Sequence, residues 1–488
     1  MISNYRKTAY TSTSKIEYHN SMNDQLQNDL RNMDNLLEAV KLQGLDFLGQ
    51  LSNRPTSRKQ TIQVAGHLNE VGLGSLDTLR IFNEKFESLI VGSTGPRYWG
   101  FVTGGSTPAS IIGDWLTTIY DQNSQAIHGQ GDISAIIEIE TVRLLLDLFN
   151  LPNDFIGGFV TGATMSNFTC LAVARQWIGK QSGKDYAKDG VTEKINIFSA
   201  LPHSSAIKSL SMLGIGSNNF VKIKLTKGNR ESLDVEDLET RIKELNGQPF
   251  ILITSAGTVN TVDFDDLQAI AKLKETYSFW WHIDGAFGAF ATCSPKYKHL
   301  MEGWENADSI TIDCHKWLNV PYENAFFLVR EKYKILQTET FQNANAPYLG
   351  NPLDNFNYLN FLPENSRRLK ALPVWFTLMA YGKKGYQEIV ENSVDMAKYF
   401  GLFIATSIAF KLLAPVRLNN VCFTLRREED QDKVSTFLTT LNDTGKVFMT
   451  ATVYNGKKGI RASFVNWRTS KEDIDIVTSE MMKITKAE

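Results

Sequence analysis

Apolar and polar positions follow a helical period at the beginning of the chain. Apolar residues recur every three or four positions from Met22 to Leu42, and a second such stretch runs from Ser75 to Ile90. This spacing places the apolar side chains on one face of a helix, so it predicts amphipathic helices. We therefore predict a helical N-terminal segment over residues 1–95. Its long apolar stripes favour a dimerisation lobe over a solvated cap.

The middle of the chain alternates short apolar runs with helical patterns. The runs are rich in β-branched and aromatic residues, which favour strands. They lie at 194–198, 220–223, 250–254, 280–284, 309–313 and 325–329. Repeated strand–helix units of this length predict a mostly parallel sheet covered by helices, and we assign residues 96–370 to this larger domain.

A third pattern follows the sheet. Regular periodicity stops between Gln337 and Arg368, and a connection of that length usually forms a lid or a disordered segment. Beyond it, a helical pattern and three strand-like runs predict a smaller α+β domain over residues 371–488. The helix is expected at 375–400 and the strands at 412–425, 447–454 and 459–465.

Composition narrows the class of protein. A hydrophobic content of 42% and a charged content of 21% are typical of a globular enzyme. The formal net charge of −2 gives no reason to expect a nucleic-acid or anionic-membrane partner. The four cysteines are widely spaced, so we expect reduced thiols. Since no long apolar run and no secretion signal is visible, we expect a cytoplasmic protein that does not enter a membrane.

A carboxylate and an amine follow two neighbouring strands of the predicted sheet. Asp284 ends one apolar run, and Lys316 comes shortly after the next. Ligands of such sheets bind beyond the carboxyl ends of the strands, where both side chains would lie. Pyridoxal 5'-phosphate (PLP) needs an anion beside its ring nitrogen and a lysine for its aldehyde. The pair therefore predicts PLP as the cofactor.

Three loops at the same edge of the sheet supply further candidates. His203 follows the first apolar run, where an imidazole could stack on the cofactor ring and contact a substrate carboxylate. The small residues of Thr161–Asn167 begin a helical pattern, and the free N–H groups of a helix start can bind phosphate. The segment Gly257–Asn260, which includes Thr258, offers a second turn there.

Together these segments resemble the group II PLP-dependent amino-acid decarboxylases, the family of aromatic amino-acid and glutamate decarboxylases. The resemblance covers about Thr94 to Arg468. Its most specific part is HIDGAFG at 282–288 followed by DCHKWLNVPYE at 313–323. The other matching segments are PRYWGFVTGGSTPA at 96–109, TGATMSN at 161–167, PHSS at 202–205 and ENSRR at 364–368, of which the glycine-rich ones are weak signals.

The resemblance implies the architecture and the assembly. The expected fold is the α/β, aspartate-aminotransferase-like fold (fold type I) of PLP-dependent enzymes. It has a large domain with a mostly parallel sheet and a smaller α+β C-terminal domain. The resemblance also implies a homodimer whose active site lies at the subunit interface, with a small-molecule amino acid as the substrate.

The resemblance also implies a role for each matching residue. Lys316 is the internal-aldimine lysine, Asp284 the partner of the pyridine nitrogen, and His203 the ring-stacking histidine. Tyr348 falls on the long loop, where aromatic members carry a lid tyrosine that protonates the α-carbon after CO₂ leaves. The other expected contacts are Ala163, Thr164 and His315 near the phosphate, Ala286 under the ring, Thr258, and Phe101 and Thr103 at the substrate pocket.

One position departs from the family pattern. Many aromatic members have an asparagine three residues before the lysine, whereas this chain has Asp313. Since a carboxylate and a phosphate repel each other, we do not expect Asp313 to bind the phosphate directly.

These observations predict α-decarboxylation of an L-amino acid to an amine and CO₂. The context of Tyr348 favours an aromatic substrate, while acidic and small aliphatic amino acids remain open. A close alternative is decarboxylation with oxidative deamination to an aldehyde. In the family, that outcome accompanies loss of the lid tyrosine or the stacking histidine, and this chain has both.

Two alternatives lie outside PLP-dependent catalysis. A non-heme metal oxygenase would use His282, Asp284 and His315 as its ligand triad. That triad does not require the adjacent Lys316, and the strand–helix alternation is unlike the expected all-β scaffold, so we predict no metal site. A binding-only member of the family is disfavoured because Lys316, Asp284 and Tyr348 are all present.

Overall fold

The computed structural model describes residues 23–60, 66–125, 127, 133–342 and 356–487. The chain divides into two compact units. One comprises the residues up to Gln50 together with Lys59–Val91, and the other comprises Leu51–Arg58 together with Gly92–Glu488. No helix within the described ranges is long and apolar enough to cross a membrane.

The first unit contains three helices, α1 (Asp24–Arg31), α2 (Met33–Gln50) and α3 (Ser75–Lys85). They confirm the two helical regions predicted from the spacing of apolar residues. The first region is divided at Asn32, which caps the end of α1. None of the three helices has a buried residue, so their apolar stripes are exposed in the single chain.

The second unit is built around a seven-stranded sheet. Its strands are β1 (Phe155–Val160), β2 (Asn196–Ser199), β3 (Phe220–Lys222), β4 (Phe250–Ser255), β5 (Trp280–Asp284), β6 (Ser309–Asp313) and β7 (Ala325–Arg330). The spatial order is β1-β7-β6-β5-β4-β2-β3, and only β7 runs antiparallel to its two neighbours. This arrangement confirms the predicted mostly parallel sheet.

Helices cover both faces of this sheet. They are α4 (Pro108–Tyr120), α5 (Ser134–Leu148), α6 (Ala163–Gln181), α7 (Ser204–Met212), α8 (Val235–Glu244), α9 (Leu267–Thr276) and α10 (Lys334–Phe341). Every residue of β4, β5 and β6 is buried as a result. Successive side chains of β5 point to opposite faces, so Trp280 and Trp281 belong to two different apolar clusters.

Several elements of the larger sheet region were not predicted from the sequence, among them helices α4 and α5. Strand β1 was not predicted, because Gly157 and Gly158 weaken the strand pattern. The structure explains one of these glycines, since a Cβ at position 157 would lie 2.2 Å from the carbonyl oxygen of Phe327 on β7. Helix α10 also extends to Phe341, into the segment for which no periodicity was expected.

A second sheet of four antiparallel strands follows near the C-terminus. The elements are α11 (Ala371–Thr406), β8 (Phe410–Leu412), β9 (Asn420–Leu425), α12 (Val434–Asp443), β10 (Thr450–Tyr454), β11 (Lys457–Ser463) and α13 (Lys471–Ala487). The strand order is β10-β11-β9-β8. These elements confirm the α+β pattern, although the single strand expected at 412–425 is two strands on either side of a loop containing Pro415. The domain boundaries at residues 95 and 370 stay predictions.

Candidate active site

The carboxyl ends of β5 and β6 bring the predicted acid and amine to one cavity. The two strands pair in parallel, with Asp284 opposite Thr311, so the segments that follow them leave the same edge of the sheet. Asp284, Ala286 and Lys316 line a cavity of about 510 Å³. His203, Thr258 and Phe101 line the same cavity.

Asp284 is held in the cavity wall by two hydrogen-bond donors. Its Oδ2 accepts from the Asn167 side-chain amide at 3.1 Å, and its Oδ1 accepts from the backbone N–H of Ala286 at 3.2 Å. The Asn167 amide also donates to Ser205 Oγ at 3.0 Å. On its other side, Asn167 Oδ1 lies 2.8 Å from His282 Nε2. Asn167 therefore connects the predicted ring-nitrogen partner to two further buried side chains.

His282 holds Asn167 through a buried hydrogen bond. It is completely buried, and burial lowers its pKa to about 4, so the imidazole is neutral near pH 7. Its Nε2 faces Asn167, and its Nδ1 lies 2.9 Å from Ser309 Oγ. Because both ring nitrogens are used within the protein, His282 cannot serve as the metal ligand that the oxygenase alternative requires. Among the described residues, no group of three or more potential metal ligands is clustered.

Lys316 reaches the cavity from the loop after β6. Its Nζ lies 2.8 Å from Asp313 Oδ2 and 5.6 Å from the centroid of the Phe287 ring, and its side chain is 18% exposed. The backbone of Gly104 packs closely on this loop. A Cβ at position 104 would lie 2.0 Å from the carbonyl oxygen of Lys316, so the approach requires glycine.

The predicted phosphate contacts lie around Asp313 and do not line the 510 Å³ cavity. The N–H of Ala163, at the start of α6, donates to Asp313 Oδ1 at 2.7 Å. The N–H of the next residue, Thr164, has no partner among the described residues. His315 Nε2 is 3.6 Å from Asp313 Oδ2, and burial lowers the pKa of its imidazole. The pair His315–Asp313 is therefore not an ion pair near neutral pH.

His203 caps the start of α7 at the cavity mouth. Its Nδ1 accepts the backbone N–H of Ser205 at 3.2 Å and lies 2.7 Å from the hydroxyl of the same residue. His203 is exposed in the single chain, but the cavity wall removes part of its hydration and lowers its pKa below the usual value. The imidazole is therefore neutral near pH 7.

Thr103, which was predicted at the substrate pocket, does not line the cavity either. Thr103 is buried outside it, where its hydroxyl donates to the carbonyl oxygen of Gly100 at 3.3 Å and accepts from Tyr322 at 3.4 Å. Tyr348 lies outside the described residues.

Two charged residues of the cavity were not found from the sequence. The buried Glu231 accepts from the hydroxyls of Thr258 at 2.6 Å and Thr261 at 2.7 Å, and so holds the turn that carries Thr258. The buried Arg461 donates to the carbonyl oxygens of Val259 and Phe101 at 3.1 and 3.3 Å. A charge within the strand-like run 459–465 was a possible signal for Arg461, whereas no pattern distinguished Glu231.

These residues fit PLP. Lys316 would supply an amine for its aldehyde, Asp284 an anion for its ring nitrogen, and Ala286, which lines the same cavity, a small apolar surface for the ring. The unpartnered N–H of Thr164 is a donor suited to phosphate.

Comparisons with known proteins agree with this chemistry. The sequence profile of the family described as "Pyridoxal-dependent decarboxylase conserved domain" matches residues 82–426. The aromatic-L-amino-acid decarboxylase of Bacillus atrophaeus is 27% identical over an alignment of 491 positions, which covers 95% of this chain and 97% of that protein. The phenylacetaldehyde synthase of Petunia hybrida is 26% identical over 394 residues, which cover 75% of this chain and 76% of that protein.

A solved structure settles the fold class. The crystal structure of Oryza sativa TDC with PLP and tryptamine matches with a TM-score of 0.85 and 20% identity, over 96% of this chain and 99% of that chain. The predicted aspartate-aminotransferase-like fold, fold type I, is thereby confirmed. Because the family profile covers most of the sequence, the chain belongs to the pyridoxal-dependent decarboxylase family and is an amino-acid carboxy-lyase that uses PLP.

Proposed function

We propose that this decarboxylase acts on an aromatic L-amino acid and releases the corresponding amine and CO₂. The observation that carries the proposal is the apolar wall of the cavity beside Lys316 and Asp284. An aromatic side chain is stabilised by burial against such a surface. The apolar and aromatic lining residues are Phe101, Val102, Leu201, Pro202, Val259 and Phe287.

The cavity residues have distinct proposed roles. PLP, when bound, supplies an electron sink for the electron pair left on the α-carbon as CO₂ departs. Lys316 Nζ would hold the aldehyde carbon of the cofactor. Asp284, fixed by Asn167, would keep a proton on the ring nitrogen. His203, as a neutral imidazole at the cavity mouth, would stack on the ring and contact the substrate carboxylate.

The remaining cofactor contacts are proposals of the same kind. We assign Ala163, Thr164 and His315 to the phosphate end, and Thr258 and Ala286 to the ring. The return of a proton to the α-carbon is assigned to Tyr348 on the basis of sequence resemblance alone. Phe101 borders the cavity and keeps its proposed substrate role, whereas the substrate role of Thr103, which is buried outside the cavity, is proposed from sequence resemblance alone.

Arg461 supports acidic amino acids as a second candidate substrate class. Its guanidinium lies at the cavity wall, and the bonds to Val259 and Phe101 use two of its five N–H donors. A buried cation with a free donor is suited to a carboxylate. It would bind the α-carboxylate of an aromatic substrate, or the side-chain carboxylate of an acidic one. Acidic amino acids are therefore the second candidate class.

The aldehyde-forming outcome is the alternative reaction. The similarity to the Petunia hybrida phenylacetaldehyde synthase gives it a basis, while the presence of His203 supports amine formation. The two reactions differ in their products, because only the aldehyde route consumes oxygen and releases hydrogen peroxide and ammonia. Measuring those products beside the amine distinguishes the two.

We also propose a cytoplasmic homodimer in which residues 1–95 form the dimerisation lobe. The support is the exposure of large apolar side chains on α1, α2 and α3, among them Leu30, Leu37 and Phe82. Analytical ultracentrifugation tests the assembly. A species of monomer mass at micromolar concentration would contradict it.

The substrate proposal is tested by a screen of the twenty amino acids. The PLP-loaded protein is assayed for CO₂ release and amine formation, with Lys316→Ala as the blank. We expect the highest turnover with tyrosine, phenylalanine or tryptophan, and none in the blank. Turnover confined to glutamate or aspartate would replace the aromatic class with the acidic one, and no amine from any amino acid would refute both.

A further inference from the structure

Asp313 joins the loop after β6, which carries Lys316, to the start of α6. The residue ends β6, and its side chain is almost completely buried. One carboxylate oxygen accepts the N–H of Ala163 at 2.7 Å, and the other lies 2.8 Å from Lys316 Nζ. The backbone N–H of Asp313 donates to the carbonyl oxygen of Ala286 at 2.9 Å, so the carboxylate has a well-defined position.

This carboxylate accepts the N–H of Ala163, the first residue of α6. The start of α6 is also where we propose that the cofactor phosphate binds. A helix N-terminus stabilises a nearby anion, and here the protein itself already supplies one. The adjacent His315 does not offset the charge, because burial lowers the pKa of its imidazole. Lys316 is the cation in direct contact with Asp313, and its amine is also the group assigned to the cofactor aldehyde.

We propose that Asp313 is a positioning residue that orients Lys316 and anchors the start of α6, and that its charge weakens the binding of the cofactor's phosphate group. The inference rests on the proposed cofactor contacts at Ala163 and Lys316. The carboxylate and the phosphate compete for the Ala163 amide and repel each other within the same buried region. The repulsion between two such charges corresponds to roughly a tenfold change in affinity or more.

A comparison of two ligands isolates this effect. PLP and pyridoxal share the aldehyde and the ring nitrogen, but only PLP carries the phosphate. A change in the position or reactivity of Lys316 alters the binding of both, whereas removal of the Asp313 charge favours PLP alone. The informative quantity is therefore the ratio of the dissociation constants of pyridoxal and PLP.

The experiment uses the full-length apoprotein and its Asp313→Asn variant, with the two ligands titrated by quenching of tryptophan fluorescence. We expect the ratio to rise roughly tenfold in Asp313→Asn, because asparagine keeps the shape and the acceptor for Ala163 but removes the charge. Asp313→Glu, which retains the charge, should keep the ratio within about twofold of that of the unmodified chain. Circular dichroism checks folding, and Asp313→Ser provides the same test if the asparagine variant fails to fold.

The outcomes separate the inference from the function on which it rests. A ratio that stays unchanged, or falls, in a folded charge-removing variant overturns the role of Asp313 and leaves the cofactor site intact. A ratio that rises equally in Asp313→Glu also overturns it, because the charge is then not the cause. Failure of the unmodified chain to bind PLP overturns both the inference and the proposed cofactor contacts.

Discussion

Replacing Arg367 with methionine should destabilise the larger unit far more than the same change at Arg368. Arg367 forms an ion pair with Glu138, and the two side chains are 4% and 0% exposed. Arg367 also donates to the carbonyl oxygens of Ser124 at 2.9 Å and Phe159 at 2.8 Å. The pair thus connects α5, β1 and the segment that leads into α11.

The size of the effect follows from the buried charge left behind. Methionine fills much of the arginine volume but leaves Glu138 without its cation, and breaking such a buried pair costs about 3–5 kcal/mol. The neighbouring Arg368 pairs with Asp114 at the surface, where the side chains are 39% and 27% exposed. An exposed pair of that kind contributes only about 0–1 kcal/mol.

Thermal unfolding is the suitable assay. For a chain of 488 residues, the entropy of unfolding is on the order of 1 kcal/mol per kelvin. We therefore expect Arg367→Met to lower Tm by roughly 3–5 °C and Arg368→Met by about 1 °C or less. Differential scanning fluorimetry of both variants at one scan rate, without added PLP, measures the difference.

A second variant identifies the cause. Adding Glu138→Gln to Arg367→Met removes the unpaired charge and should recover part of the lost stability, since a neutral amide is cheaper to bury than a carboxylate. Equal Tm values for Arg367→Met and Arg368→Met would refute the reasoning. A double variant that is less stable than Arg367→Met would show that the loss comes from packing and not from the charge.

Three further predictions concern the site. Asn167→Ala removes a donor to Asp284 and leaves the buried His282 Nε2 unpaired, so the dissociation constant for PLP should rise roughly tenfold in fluorescence titrations. Arg461→Met should raise KM for the preferred substrate roughly tenfold or more in steady-state kinetics, because a carboxylate loses its cationic partner. His282→Gln should flatten the loss of stability between pH 6.5 and 4 in Tm measurements. Burial lowers the pKa of His282 to about 4, so in that range the unfolded chain takes up a proton that the folded chain does not, which costs about 3 kcal/mol.

Each of these predictions has a clear contrary result. Unchanged PLP affinity in folded Asn167→Ala would show that Asp284 does not depend on the amide. A lower kcat with unchanged KM in Arg461→Met would assign the arginine to the chemical step and not to substrate binding. An identical pH dependence in His282→Gln would place the acid sensitivity elsewhere.

The sheet was predictable where its strands are buried on both faces. Strands β4, β5 and β6 are completely buried because helices cover both sides, and their β-branched and aromatic residues stand out in a sequence. β1 was missed because its two glycines carry no side chain to show burial. Only the neighbouring strand explains Gly157, since the carbonyl oxygen of Phe327 leaves no room for a Cβ.

The positions of Asp284 and Lys316 at one cavity were predictable for a similar reason. Asp284 and Lys316 each follow an apolar run, and parallel strands end at a common edge. Arg461 was not predictable, because it reaches the carbonyl oxygen of Phe101, 360 residues earlier in the chain. The spacing of apolar residues shows which face of a strand is buried. It does not show which distant part of the chain packs against that face.

The sequence by itself therefore determined the mostly parallel sheet, the cofactor and the class of reaction, because these depend on local patterns and on motifs close together in the chain. Only the tertiary structure decided how those motifs are supported. Asn167 bonds to Asp284 across 117 residues, and Asp313 bonds to Ala163 across 150. Such hydrogen bonds form between groups that packing brings together, and their geometry depends on distances that no local pattern encodes.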